Sequence, residues 1–322
     1  DRASKRSRDS TAMTFKECTE KYIISHKAGW KNAKHAAQWT STMETYAFPE
    51  IGSLPVQAID TPLVLKVLEP IWQIKTETAS RVRGRIEAIL DWATVGQFRK
   101  GENPARWKGH LAIMLPSKSK VSKVKHHTAL PYDNINEFMK QLTDREGVSA
   151  RGLEFSILTA ARTGEVMGAT WAEIDFGNEI WTISSERMKA NKEHRVPLSK
   201  RALGILHKIQ DAAVSKFVFP GMQSNRPLSN MAFLQLLKRM GRGDLTAHGF
   251  RSTFRDWAAE LGNYPNEVAE MALAHSVGDK VEAAYRRGDL FDKRCKMMDE
   301  WAEYCSQENK NSGKTHKSRR ER

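Results

Sequence analysis

Residues 246–287 hold His248, Arg251, His275 and Tyr285 in two segments of helical pattern. Cations plus one phenol are the groups needed to break and rejoin a DNA strand. A phosphodiester attacked in line gains negative charge on its non-bridging oxygens, and catalysis is mainly positioning plus stabilisation of that charge. Tyr285 is the candidate nucleophile. A phenol of pKa about 10 is only about a thousandth ionised at neutral pH, so it needs a base or a cationic field. On one helix His248, Arg251 and Arg255 share a face, with Phe250, Phe254, Trp257 and Leu261 as the opposite, core-facing stripe. Taken singly, a solvated basic face accounts for the cations, and ordinary packing behind Val281 and Ala284 accounts for Tyr285.

Three more residues bear on this choice. Arg162 ends an apolar helix carrying Phe155, Ile157 and Leu158, and Gly164 is expected to break that helix. A guanidinium so placed is either paired with an acid such as Glu165 or aimed at an anionic ligand. Lys189 and Lys192 fall in the turn expected between two strands, where a lysine is most often a solvated phosphate contact. His275 follows Met271, Ala272 and Leu273, so a core histidine bonded to a backbone carbonyl is the alternative to a site role.

The elements that must position these residues form two modules, the number expected for 322 residues. Thr14 and Glu17 form a capping box for a first helix, a second covers 32–46 and is broken at 48–52, a third starts at Thr61 with Pro62, and a fourth covers 77–95. The fourth buries Ala79, Val82, Ile86, Ile89, Leu90 and Ala93 and turns Arg81, Arg83 and Arg85 outward. Residues 117–128 carry Lys118, Lys120, Lys123 and Lys125 with hardly any apolar content, which predicts an exposed linker that lies over phosphates or serves as a spacer. Beyond it come helices over 133–142 and 149–162 and short strands at 171–174, 179–184 and 195–198. Helices follow at 199–214 and 230–240. A last amphipathic helix shows Leu290, Met297, Met298, Trp301 and Cys305 on one side, a face covered by another protomer or by its own domain. The expected fold is mainly α with a small three-stranded antiparallel sheet.

A net charge of +14 with 28% charged residues points to a polyanionic partner. No apolar run reaches the roughly 18 residues of a membrane span, and no signal pattern opens the chain, so a soluble, cytoplasmic protein is expected. Cys18, Cys295 and Cys305 show no ligand spacing, which predicts reduced thiols and no zinc. The chain opens on Asp1, consistent with a fragment or a processed chain.

Ala160-Ala161-Arg162-Thr163-Gly164-Glu165, then Lys189, then His248 and Arg251, then Leu273-Ala274-His275, then Tyr285 closely resemble the tyrosine recombinase (phage integrase) family. The resemblance covers the second module at six positions in the family's order, and the first module resembles the helical core-binding domain by pattern. Glu186-Arg187-Met188-Lys189, His194-Arg195-Val196-Pro197-Leu198-Ser199 and Ala283-Ala284-Tyr285-Arg286-Arg287-Gly288-Asp289 are similar to integrases of prophages and integrative islands. Such relatives usually carry a further N-terminal domain that binds arm sites.

The resemblance implies a tail at 1–12, a core-binding DNA domain at 13–115, a basic linker at 116–130, a catalytic domain at 131–305 and a basic disordered tail at 306–322. Arg162 and Arg251 would clamp the phosphate, His248 or His275 would add a donor, and Lys189, with Lys192 as competitor, would protonate the leaving 5′-oxygen. Tyr285 would form a 3′-phosphotyrosyl link, with no ATP, metal or other cofactor. The implied partners are double-stranded attachment sites, a homotetramer on paired sites assembled from monomers, and an accessory DNA-bending or excision factor. Two other readings remain: relaxation of supercoils by a type IB topoisomerase, and a non-catalytic DNA-binding protein, which would not need all six positions.

Overall fold

The computed structural model describes residues 12–30, 33–121, 128–211, 213–223, 225–275 and 288–307. The chain divides into two compact units, Asp1–Lys125 and His126–Arg322.

The first unit is helical. Helix α1 (Phe15–Lys27) starts on the expected capping box: Glu17 N donates to Thr14 Oγ1 at 3.2 Å and Thr14 N to the Glu17 carboxylate at 2.8 Å. Helix α2 (Ala33–Thr42) runs on through wide turns over Met43–Gly52. The break expected at 48–52 is therefore absent. Pro49 lacks an N–H and would clash with the carbonyl one turn back, and a wider turn relieves both problems while Met43, Ala47 and Ile51 stay buried. Asp60 caps α3 (Thr61–Trp72) by accepting from Leu63 N at 3.1 Å.

Helix α4 (Thr76–Val95) buries the whole predicted stripe. Arg85, expected to face outward, is a correction. It lies three residues after Val82 and four before Ile89, so it shares the core side of the helix. It is buried over the Trp39 ring at 5.3 Å and donates to Gln38 O at 2.7 Å and to Thr42 Oγ1. Arg83 is also drawn in, donating to Glu87 at 2.5 Å and to Ala105 O at 2.8 Å, whereas Arg81 stays exposed beside Glu77. The expected linker begins as a helical turn, Lys118–Val121, that packs Val121 on the first core and pairs Lys118 with Glu77. Lys120 is exposed, and Lys123 and Lys125 lie outside the described residues.

In the second unit Leu130, assigned to the linker by sequence, is buried in the core, and its carbonyl accepts from Thr253 Oγ1 at 2.7 Å. Helices α5 (Ile135–Thr143), α6 (Val148–Thr159) and α7 (Thr163–Met167) precede an antiparallel sheet ordered β1 (Ile174–Asp175), β2 (Ile180–Ile183), β3 (His194–Pro197). Trp181 faces Ile174 on one side and Val196 on the other. The strand expected over 171–174 is mostly a tight turn, Trp171–Glu173, because Thr170 N donates to the Glu173 side chain at 3.2 Å and Glu173 N to Thr170 O at 3.0 Å.

Helices α8 (Lys200–Gln210), α9 (Ala232–Arg239), α10 (Gly249–Glu260) and α11 (Asn266–Ala272) follow the sheet. Leu261, expected in the α10 core stripe, lies past the helix end and is 56% exposed, while Phe250, Phe254 and Trp257 are buried. Helix α12 (Phe291–Tyr304) buries Met297, Met298 and Trp301 within this unit, and Trp301 Nε1 donates to Ile157 O at 2.8 Å. Its apolar face is thus covered by its own unit. Among the described residues no helix is long and apolar enough to cross a membrane.

Candidate active site

Helix α6 stops at Ala160, which takes a left-handed backbone (φ 49°), so Ala160 and not Gly164 ends it. Two residues later Arg162 heads α7. The Glu165 carboxylate accepts from Arg162 N at 2.9 Å and from Arg162 Nη1 at 2.8 Å. The paired arrangement holds, and the pair leaves Nη2 to reach Ala274 O at 3.0 Å.

Arg251 was expected on a solvated basic front. It is 5% exposed instead. Its Nη2 donates to Leu273 O at 2.6 Å, and its Nη1 donates to Ala160 O. Burial pushes its pKa down to about 10, with the Arg162 charge acting the same way and Glu165 and Glu270 opposing. It stays a cation at neutral pH.

These bonds converge on one turn. Helix α11 ends as His275 N bonds to Glu270 O at 2.9 Å and Ala274 N to Met271 O at 3.0 Å, with Ala274 left-handed at φ 49°. A left-handed alanine costs roughly 1 kcal/mol. Both left-handed alanines, Ala160 and Ala274, offer their carbonyls to a site arginine. Strain is thus concentrated at the backbone beneath the two guanidiniums.

His275 follows directly. Its Nε2 is 3.3 Å from Arg251 Nη2 and its Nδ1 is 2.8 Å from Glu270. Arginine can only donate, so Nε2 accepts and the ring proton sits on Nδ1, toward Glu270. Glu270 also accepts from Arg255 Nε at 2.6 Å. Burial works to raise the Glu270 pKa, but the bonds from Arg255 and His275 outweigh it and hold it below the usual value. Arg255 therefore supports Glu270 instead of facing a ligand.

His248 caps the start of α10 and is exposed. Gly249 beside it is required by space: a Cβ there would come within 2.4 Å of Thr128 O. Lys189 and Lys192 are exposed in the turn between β2 and β3. Tyr285 lies outside the described residues. The chain resumes at Gly288, and Asp289 is gripped by Arg195 at 2.9 Å and by the buried Arg294 at 2.7 Å.

Arg162, Arg251 and His275 are thus joined, and His248 meets Arg251 through the backbone, Arg251 N donating to His248 O at 3.1 Å, whereas Lys189 and Lys192 stand apart in their exposed turn. Sequence reading gave no role to Asp289 and missed Glu270 and Arg294. The acid five residues before His275 is a signal, but it reaches the ring only because Ala274 reverses the chain. His194, which the sequence marked only as part of a run, is a half-buried imidazole on β3. Burial pushes its pKa down to about 4, with the Arg294 charge acting the same way.

The phage integrase central domain matches residues 15–110 and the phage integrase family matches residues 128–290. The integrase of Enterobacteria phage P4 is 28% identical, covering 93% of this chain and 71% of its own length. Prophage integrase IntZ of Escherichia coli K12 is 30% identical, covering 91% and 71%. A lambda integrase tetramer bound to a Holliday junction superposes with a TM-score of 0.65 at 15% identity, covering 87% of this chain and 83% of that one. The Tn1549 transposon integrase in complex with circular intermediate DNA gives 0.63 at 15%, covering 88% and 99%. At such identities the likeness speaks for the fold, whereas the family matches span both units. The chain belongs to the phage integrase family and is a tyrosine site-specific recombinase.

Proposed function

We propose that Tyr285 attacks the scissile phosphorus, that Arg162 and Arg251 clamp its non-bridging oxygens with a donor from His248 or, once its Nε2 has taken up a proton, from His275, and that Lys189 protonates the departing 5′-oxygen. The phosphorus–Oη bond forms as the phosphorus–O5′ bond breaks, the phenolic proton passing to a histidine of the site while the leaving oxygen takes one from Lys189. The resulting 3′-phosphotyrosyl ester keeps the bond energy for rejoining, when a 5′-hydroxyl from the partner duplex displaces the tyrosine. One observation carries the reading: Arg162 and Arg251 converge on adjacent carbonyls, with His275 next in the chain.

In this reading the chain acts on double-stranded attachment sites to integrate and excise a mobile element. The first unit is the core-binding domain, with Arg81, Lys118, Lys120, Lys123 and Lys125 on the DNA backbone and Lys192 as a further phosphate contact. Four copies assemble on paired sites, as the lambda integrase tetramer does on its junction. An accessory bending or excision factor and a place on the nucleoid belong to the same reading.

The test is recombination between two DNAs carrying candidate sites, with chelator present and no nucleotide. Recombinants and a junction intermediate are expected. Relaxation of nonspecific supercoiled DNA by a monomer, without recombinants, would favour the topoisomerase instead.

A further inference from the structure

The run Glu186-Arg187-Met188-Lys189 contains a residue that the chemistry above does not use. Arg187 lies two residues before Lys189. Its Nη1 is bonded to both oxygens of Glu173, with Oε2 at 2.5 Å, and its Nη2 donates to Glu165 O at 2.6 Å. Glu173 is itself fixed by Trp181 Nε1 at 3.0 Å. The guanidinium lies against Gly168, where a Cβ would come within 2.7 Å of Nη2 and 3.4 Å of Cζ. Gly168 follows α7, the helix that Arg162 heads.

The contact therefore ties two parts of the site together. Glu165 offers its carbonyl to Arg187 while its carboxylate holds Arg162 at 2.8 Å. On the other side of Arg187, Met188 is buried, and its carbonyl accepts from Asn191 N at 3.1 Å. Two residues span at most about 7 Å, so the Lys189 backbone is held within that distance of an anchored arginine.

We propose that Arg187 is a positioning residue for Lys189, holding the lysine loop at a fixed distance from the turn that carries Arg162. The inference rests on the reading of Lys189 as the general acid. A lysine at position 187 would keep the charge but lose the two-point fork on which the tie depends.

The test compares single-turnover cleavage of nicked attachment-site DNA carrying either the ordinary 5′-oxygen or a 5′-bridging sulfur at the scissile phosphate. A thiol has a pKa of about 8.5, so sulfur departs as thiolate when the phosphorus–sulfur bond breaks and needs no proton from the enzyme. Lys189→Ala is expected to lose about 10²- to 10⁴-fold on the oxygen ester and to recover on the sulfur ester. Arg187→Ala is expected to lose about 10- to 100-fold on oxygen and to recover in the same way. Arg162→Ala, which weakens the clamp, is expected to be slow on both.

If Arg187→Ala is as slow on sulfur as on oxygen while Lys189→Ala recovers, Arg187 acts on the clamp or the fold and the inference is wrong. If Lys189→Ala itself fails to recover, Lys189 is not the acid, and the inference falls with that reading. Should Arg187→Ala fail to fold, Arg187→Lys and Gly168→Ala carry the same comparison. The first removes the guanidinium and the second displaces it from its seat, and each should show the defect on the oxygen ester alone.

Discussion

Arg162 and Arg251 rest on neighbouring carbonyls of one turn, the first on Ala274 O at 3.0 Å and the second on Leu273 O at 2.6 Å. The turn closes α11, so its carbonyls hold the negative end of a helix against two like charges. Glu165 beside Arg162 and Glu270 behind His275 add carboxylates. The two guanidiniums are therefore held side by side before any phosphate arrives.

Replacing either arginine by lysine keeps a positive charge but loses the fork that grips two acceptors. Arg251→Lys and Arg162→Lys should each slow covalent adduct formation by about 10²- to 10³-fold, with DNA affinity changed far less. Single-turnover cleavage and a binding titration on the same DNA check this.

Glu270 holds both His275 and Arg255. Glu270→Gln keeps the size but loses one acceptor and the negative charge, freeing the imidazole to turn. Cleavage should fall about 10-fold through misplacement while the melting temperature moves little. An unchanged cleavage rate would mean that Glu270 does not orient the ring.

The helices were legible where the pattern is local. The α4 stripe from Ala79 to Ala93 follows from 3.6-residue periodicity, and the Thr14–Glu17 cap from spacing. The site positions were legible as types in order. Their contacts were not, because Arg162 reaches a carbonyl 112 residues away and Arg251 one 22 residues away. Periodicity also misplaced Arg85, which sits at the edge of the buried stripe, and the burial of Arg251 on a face that looked cationic. Pro49 looked like a stop because sequence rules assume α-helical turns, and wide turns lift that restriction.

His194 makes stability depend on pH in a defined direction. Its folded pKa is about 4 against an ordinary value of 6.5, so between these values the unfolded chain binds the extra proton. Stability is whole above about pH 6.5 and falls as pH drops toward 4, by about 3 kcal/mol over the window. His194→Gln removes that contribution. Urea unfolding at pH 7 and pH 4.5 should show a smaller loss for the variant than for the native chain.

The identity of the DNA-linked residue tests the central claim most directly. Protein trapped on nicked attachment-site DNA is digested, and the peptide bearing the 3′-phosphate is sequenced by mass spectrometry. The phosphate is expected on Tyr285, and Tyr285→Phe should yield no adduct. A phosphate on any other residue, or an adduct that survives Tyr285→Phe, would contradict the account.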